Sequence, residues 1–171
     1  SWFEQRSVAS EIAARFPGTL SMVLGGVVVA LAIGVPLGLL AGTRPGSAVD
    51  RVVTGVTSLG VAMPDFWLAI ILVTVFAVDR NVFPSGGYVP FGTDPYEWAH
   101  HLVLPWIAIG VGGSATIARQ LRGALADELE SDYARTARAK GLSPRRVTMQ
   151  HALKNAAMPA VTVLGIQIAY A

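Results

Sequence analysis

Charged residues fall along this chain in clusters, and the long apolar stretches between them set the elements. From Phe16 to Thr43 no residue carries a charge. A bilayer-crossing helix needs about 20 largely apolar residues, so a first span is predicted over 18–43. The stretch from Val52 to Val78 is interrupted only by Asp65, within Met63-Pro64-Asp65-Phe66-Trp67. Neither uncharged half can cross alone. Together they predict a second span over 52–78, bent at Pro64, because proline removes an N–H and crowds the carbonyl one turn earlier. A third span is predicted over 98–118, with Pro105 near its start and Gly110, Gly112 and Gly113 in its middle. A fourth covers 155–171. Two polar segments remain, 1–17 before the first span and 119–154 between the third and the fourth.

Within the spans a few positions stand out. Gly34, Gly38 and Gly42 recur every four residues, which places them on one helix face where another helix can approach closely. Asp65 falls near the middle of its span, where a carboxylate is costly and faces the bundle interior or a wet cavity. It reads equally as a pathway residue, flanked by Pro64, Phe66 and Trp67 as hinge or pathway candidates, as the N-cap of a broken helix, or as an acid paired with another subunit. His100 and His101 are adjacent and point to different helix faces, so they suit an interface better than a metal. No metal site is expected.

Composition excludes a soluble domain. Of 171 residues 53% are hydrophobic and 14% charged, with mean hydropathy +0.52, whereas soluble domains carry about 25% charged residues. The missing polar surface must face lipid or other apolar protein. Cysteine is absent, which excludes a disulfide or thiolate-metal framework. The fold class expected is an all-α, polytopic transmembrane helix bundle of about four spans. The net charge is +2, but its distribution matters more. Arg119, Arg122, Arg135, Arg138, Lys140, Arg145, Arg146 and Lys154 all lie in 119–154, and Arg44 and Arg51 follow the first span. The 79–97 loop has one arginine, Arg80, against Asp79, Asp94 and Glu97. By the positive-inside rule 119–154 and 43–51 are cytoplasmic, and 79–97 and 1–17 lie outside. With Ser1 at one end and Ala171 inside an apolar run, the chain is expected to be a fragment of a longer membrane protein.

The 119–154 segment is patterned. Asp127, Glu128, Glu130 and Asp132 precede Arg135, Arg138 and Lys140, the order favoured by a helix dipole. Ala134, Thr136, Ala137 and Ala139 give that helix a low-relief surface. Gly141 is placed to end it with a positive φ. Ser143 then Pro144 predicts the N-cap and first residue of a second helix running back toward the membrane. A short helix with small residues and a basic rim suits docking into a partner's groove, or resting on anionic lipid.

Asp132-Tyr133-Ala134-Arg135-Thr136-Ala137-Arg138-Ala139-Lys140-Gly141-Leu142-Ser143, with His151-Ala152-Leu153-Lys154-Asn155-Ala156 and Pro159, resembles the EAA loop of binding-protein-dependent ABC transporter permeases. The resemblance extends through Glu11-Ile12-Ala13-Ala14-Arg15-Phe16-Pro17, Pro64-x-Phe66-Trp67-Leu68, Pro84-Ser85-Gly86-Gly87-Tyr88 and His101-Leu102-Val103-Leu104-Pro105. It is nearest to the first permease subunit of the dipeptide/oligopeptide/nickel branch. Where the general pattern has Glu-Ala-Ala, this chain has Arg135-Thr136-Ala137.

That resemblance implies a type I importer permease fold, with residues 1–171 one transmembrane permease domain lacking a span at each end. It implies a multi-pass protein of a bacterial or archaeal inner membrane. Tyr133, Ala134, Arg135, Thr136, Ala137, Arg138, Ala139, Lys140, Gly141 and Leu142 would form the coupling helix and its turn, seated on an ATPase subunit. The implied partners are a second permease, two ATP-binding cassette subunits, an external binding protein and the bilayer, with no nucleic acid. The chain would bind no cofactor and catalyse no covalent chemistry; ATP and Mg would sit in the ATPases. No G-x-x-x-x-G-K-[ST] loop occurs. Two rivals are an intramembrane serine protease, built on Gly112-Gly113-Ser114-Ala115, and an ion-driven secondary transporter using Asp65.

Overall fold

In a computed structural model, residues 7–170 are described, with backbone only for 163, 164 and 166–170. Glu4, Arg6 and Ala171 lie outside the described residues. Helix α1 is Val8–Gly42, ten residues longer at its start than the predicted span. Ser7 explains the early start: its hydroxyl accepts the Ser10 N–H at 3.2 Å and caps the helix. Pro17 and Pro36 both lie inside α1 without ending it. The segment expected to precede the first span is therefore helical from Val8 onward.

The second span is broken. Helix α2 is Ala48–Ala62 and α3 is Asp65–Leu72, which runs on as a π-helical segment, Val73–Asp79. The two halves meet at 92° across Met63 and Pro64. Pro64 takes the N-cap position, so Asp65 is the first helical residue and not the cap. Helix α4 is Pro95–Glu130. Asp94 opens it by accepting the Tyr96 and Glu97 N–H groups at 2.9 and 3.1 Å, and Pro95 needs no partner there.

Helix α4 overruns the predicted third span, so the first twelve residues of the 119–154 segment are its continuation. Asp127, Glu128 and Glu130 therefore end α4; they do not begin the next helix. Ser131 breaks the run with extended backbone, and its hydroxyl caps α5, Asp132–Ala139. Only Asp132 is acidic in the first turn of α5. Ser143 has extended backbone but makes no side-chain cap bond before α6, Pro144–Arg146. A π-helical segment, Val147–Ala152, leads into α7, Leu153–Tyr170.

Among the described residues α1 and α4 are long and apolar enough to cross a membrane, and the bent pair makes a third span if counted as one. The expected fourth span corresponds to α7. Its 18 residues include Lys154, Asn155 and Gln167, which keep it short of that measure.

Helices α1 and α4 pair in parallel along the glycine face. Methyl groups placed on Gly34, Gly38 and Gly42 would lie 2.7 Å from the Ser114 carbonyl oxygen, 2.9 Å from Leu121 Cβ and 3.0 Å from Leu125 Cβ. Both partners thus advance together. Parallel pairing obliges the intervening chain to return across the layer, and it does so in order. Asp50 lies level with Arg122, Gly60 with Ala115, Asp65 with Gly112, and Val82 with His100. The bent pair is thus a broken span and not a re-entrant loop. Leu121 and Leu125 of α4 close the other end of the bundle against Ala152 and Ala156.

Candidate functional site

Helix α5 hangs from the end of α4 and is fastened there by polar bonds. Tyr133 Oη donates to Glu128, and Asn155 Nδ2 donates to Glu128 Oε2 at 3.5 Å. Arg138 Nη2 donates to the Leu129 carbonyl at 2.7 Å, so the last turn of α5 is tied back to α4. Burial, then the Glu128 carboxylate, hold the Tyr133 phenol above its ordinary pKa. These bonds make α5 an extension of α4.

The turn after α5 is a Schellman motif. Leu142 N–H reaches the Ala137 carbonyl at 3.2 Å and Gly141 N–H the Arg138 carbonyl at 2.9 Å. Gly141 carries φ +84 with open space around it. Its glycine is needed for the backbone conformation and not for room.

The structure divides the expected docking residues by face. Ala134 is fully buried and Ala137 half-buried, both turned toward their own chain. Of the four small residues expected on the docking face, Thr136 and Ala139 are exposed while Ala134 and Ala137 pack against the chain's own helices. Fixing α5 against the Val147–Ala152 segment, where Val147 and Ala152 are themselves buried, uses the small side chains. The outward face presents Asp132, Arg135, Thr136, Arg138, Ala139 and Lys140, all exposed. Tyr133 is exposed at the edge and Leu142 is half-buried.

Asp65, Phe66 and Trp67 are exposed at the break, beside Pro64. The Asp65 carboxylate rests against Gly112, where a side chain would collide with it. At 1.5 Å per residue, Gly112 lies about 15 Å along α4 from Arg122 and about 18 Å from His100. Asp65 is therefore about midway between those two levels, and among the described residues it makes no ion pair.

One pairing was not anticipated. Asp50, in the first turn of α2, meets Arg122 of α4 through two bonds of 2.8 and 2.6 Å. Opposite charges beside two of the predicted spans were the available signal, but no periodicity joins residues so far apart.

The protease rival fails on geometry. Ser114 is buried, and its hydroxyl donates to the Val111 carbonyl at 2.7 Å. His100 and His101 lie about 20 Å away along α4, engaged with the Val82 and Glu97 carbonyls at 2.9 and 2.8 Å. Among the described residues no group of three or more His, Asp or Glu could hold a metal ion.

A family model described as the inner membrane component of binding-protein-dependent transport systems matches residues 34–171. The chain belongs to that family. The match takes in the glycine face of α1, the broken pair, α4, the α5 turn and α7. Similar proteins include the oligopeptide transport system permease protein AppB of Bacillus subtilis (strain 168), 38% identical over 163 residues, covering 94% of this chain and 52% of that protein. The dipeptide transport system permease protein DppB of the same organism is 38% identical over 163 residues, covering 95% and 50%. DppB of Escherichia coli (strain K12) is 34% identical over 184 residues, covering 94% and 54%. The chain spans about half the length of the curated relatives it matches. Among the described residues the regular elements are all helices.

Proposed function

We propose that this inner membrane component lines the translocation pathway of an ATP-driven importer of peptides or similar small solutes. It would sit in a bacterial inner membrane beside a second permease, above two ATPase subunits that hold ATP and Mg, and below an external binding protein. The supporting observation is the attachment of α5. A short helix presenting Arg135, Thr136, Ala139 and Lys140 outward is bonded to the end of α4, so a push on α5 becomes a movement of α4. Backbone in the hydrocarbon layer must keep its hydrogen bonds. Whole helices therefore move, and the break at Pro64 is where they flex, with Asp65, Phe66 and Trp67 exposed beside it as pathway candidates.

Ala139→Cys in the full-length permease tests this, in the assembled transporter reconstituted with its partners. The thiol should cross-link to an ATPase subunit, and vesicles should take up peptide only with ATP. Absence of any ATPase adduct, or uptake driven by an ion gradient without the ATPases, would overturn the proposal.

A further inference from the structure

Asp50 is 3% exposed and its carboxylate is supplied from two sides. Arg122 Nε donates to Oδ1 at 2.8 Å and Nη2 to Oδ2 at 2.6 Å, a fork that fixes direction as well as distance. From its own segment the Gly46 N–H donates to Oδ2 at 2.8 Å and the Thr54 hydroxyl to Oδ1 at 3.4 Å. Ser47 Oγ accepts the Asp50 N–H at 3.2 Å.

Beyond one close approach, at Gly60 beside Ala115, α2 holds the bundle lightly elsewhere. Its buried residues are Asp50, Val53 and Thr57, two of them polar, while Val52, Val56 and Leu59 are exposed. Apolar burial is non-directional, so it resists separation of two helices better than sliding. A further polar bond between them, donated by Arg119 Nη2 of α4 to Ser58 Oγ of α2, is exposed and 3.4 Å long. Helix α1 needs no such bond, because its glycine face interlocks with α4.

We propose that Asp50 and Arg122 are positioning residues for transport. They pass a displacement of α4, applied at α5, to the broken pair α2–α3 that carries Asp65. Without the fork, α4 carries α1 with it while α2 lags and the break at Pro64 stays where it was. This inference rests on the transport reading above.

The test uses the full-length permease assembled with its partner subunits in proteoliposomes. Asp50→Asn and Arg122→Gln should assemble and hydrolyse ATP, while substrate moved per ATP falls about tenfold. Arg122→Lys, which keeps the charge but loses the fork, should fall between. The charge exchange Asp50→Arg with Arg122→Asp should recover much of the ratio. Spin labels at Val56 and Gly123 should hold one separation through the ATP cycle in the parent and change separation in Arg122→Lys. If the ratio is unchanged in the single variants, or falls only as far as assembled transporter is lost, the pair is a brace and the inference is wrong. If the parent assembly itself shows no ATP-driven uptake, the transport reading fails instead.

Discussion

At Gly38 the neighbouring helix comes so close that one methyl group would sit 3.0 Å from the Ala118 carbonyl oxygen. Overpacking of this kind costs about 1–3 kcal/mol. Gly38→Leu should therefore lower the thermal midpoint of the purified permease, whereas Gly55→Leu, with open space at its Cβ, should leave it unchanged. Equal midpoints for the two variants would show that the α1–α4 contact contributes little. The four-residue spacing was legible in the sequence, because a helix face follows from backbone geometry alone. The identity of the opposing helix was not, since spacing within one helix says nothing about its partner. Asp50 and Arg122 were invisible for a related reason: a bond across 72 residues leaves no local pattern. Gly141 was legible because positive φ narrows the choice of residue to very few.

Elements were read well where apolar length decided them and less well at their ends. The start of α1 depends on a single hydroxyl at Ser7, and helix ends are set by such caps more than by hydropathy. Helix α4 outran its apolar segment because polar residues such as Gln120, Glu128 and Glu130 are good helix formers, so charge marked the membrane boundary but not the helix boundary. The small residues of α5 divide between its two faces, because they serve close packing inward at Ala134 as well as low relief outward at Thr136 and Ala139. The break at Pro64 was anticipated as a kink, and 92° is more than a kink. Proline at the N-cap with extended backbone, φ −66 and ψ 135, is what separates α2 from α3. Pro64→Ala should let the two join, and labels at Leu59 and Ile70 should move apart toward about 16 Å, the length of eleven residues of straight helix. An unchanged separation would mean that packing on α4, and not proline, holds the bend.

At the scale of the whole molecule, orientation follows from charge and the crossing order from the parallel α1–α4 pair. The helix packing puts the Asp50–Arg122 pair at one face and the His100–Val82 bond at the other, and the charge distribution supplies the expected side for each. The chain contains no cysteine, so single thiols introduced at Tyr88 and Lys140 give a direct check. A membrane-impermeant reagent should label Tyr88→Cys from outside and Lys140→Cys only after the membrane is opened. Labelling of both from one side would overturn the crossing of α4, which lies between them, and the reverse pattern would overturn the crossing of α2–α3. The parallel pair also bears on how the protein is made. Synthesis releases α1 well before α4, so its glycine edge meets this counterpart only once Pro95 and the residues beyond it have left the ribosome, with the broken pair inserted in between. Long-range pairing of this kind is slow to complete. A nascent chain arrested before α4 would leave that edge uncovered in the lipid, and this is the form that quality-control proteases of the membrane would meet.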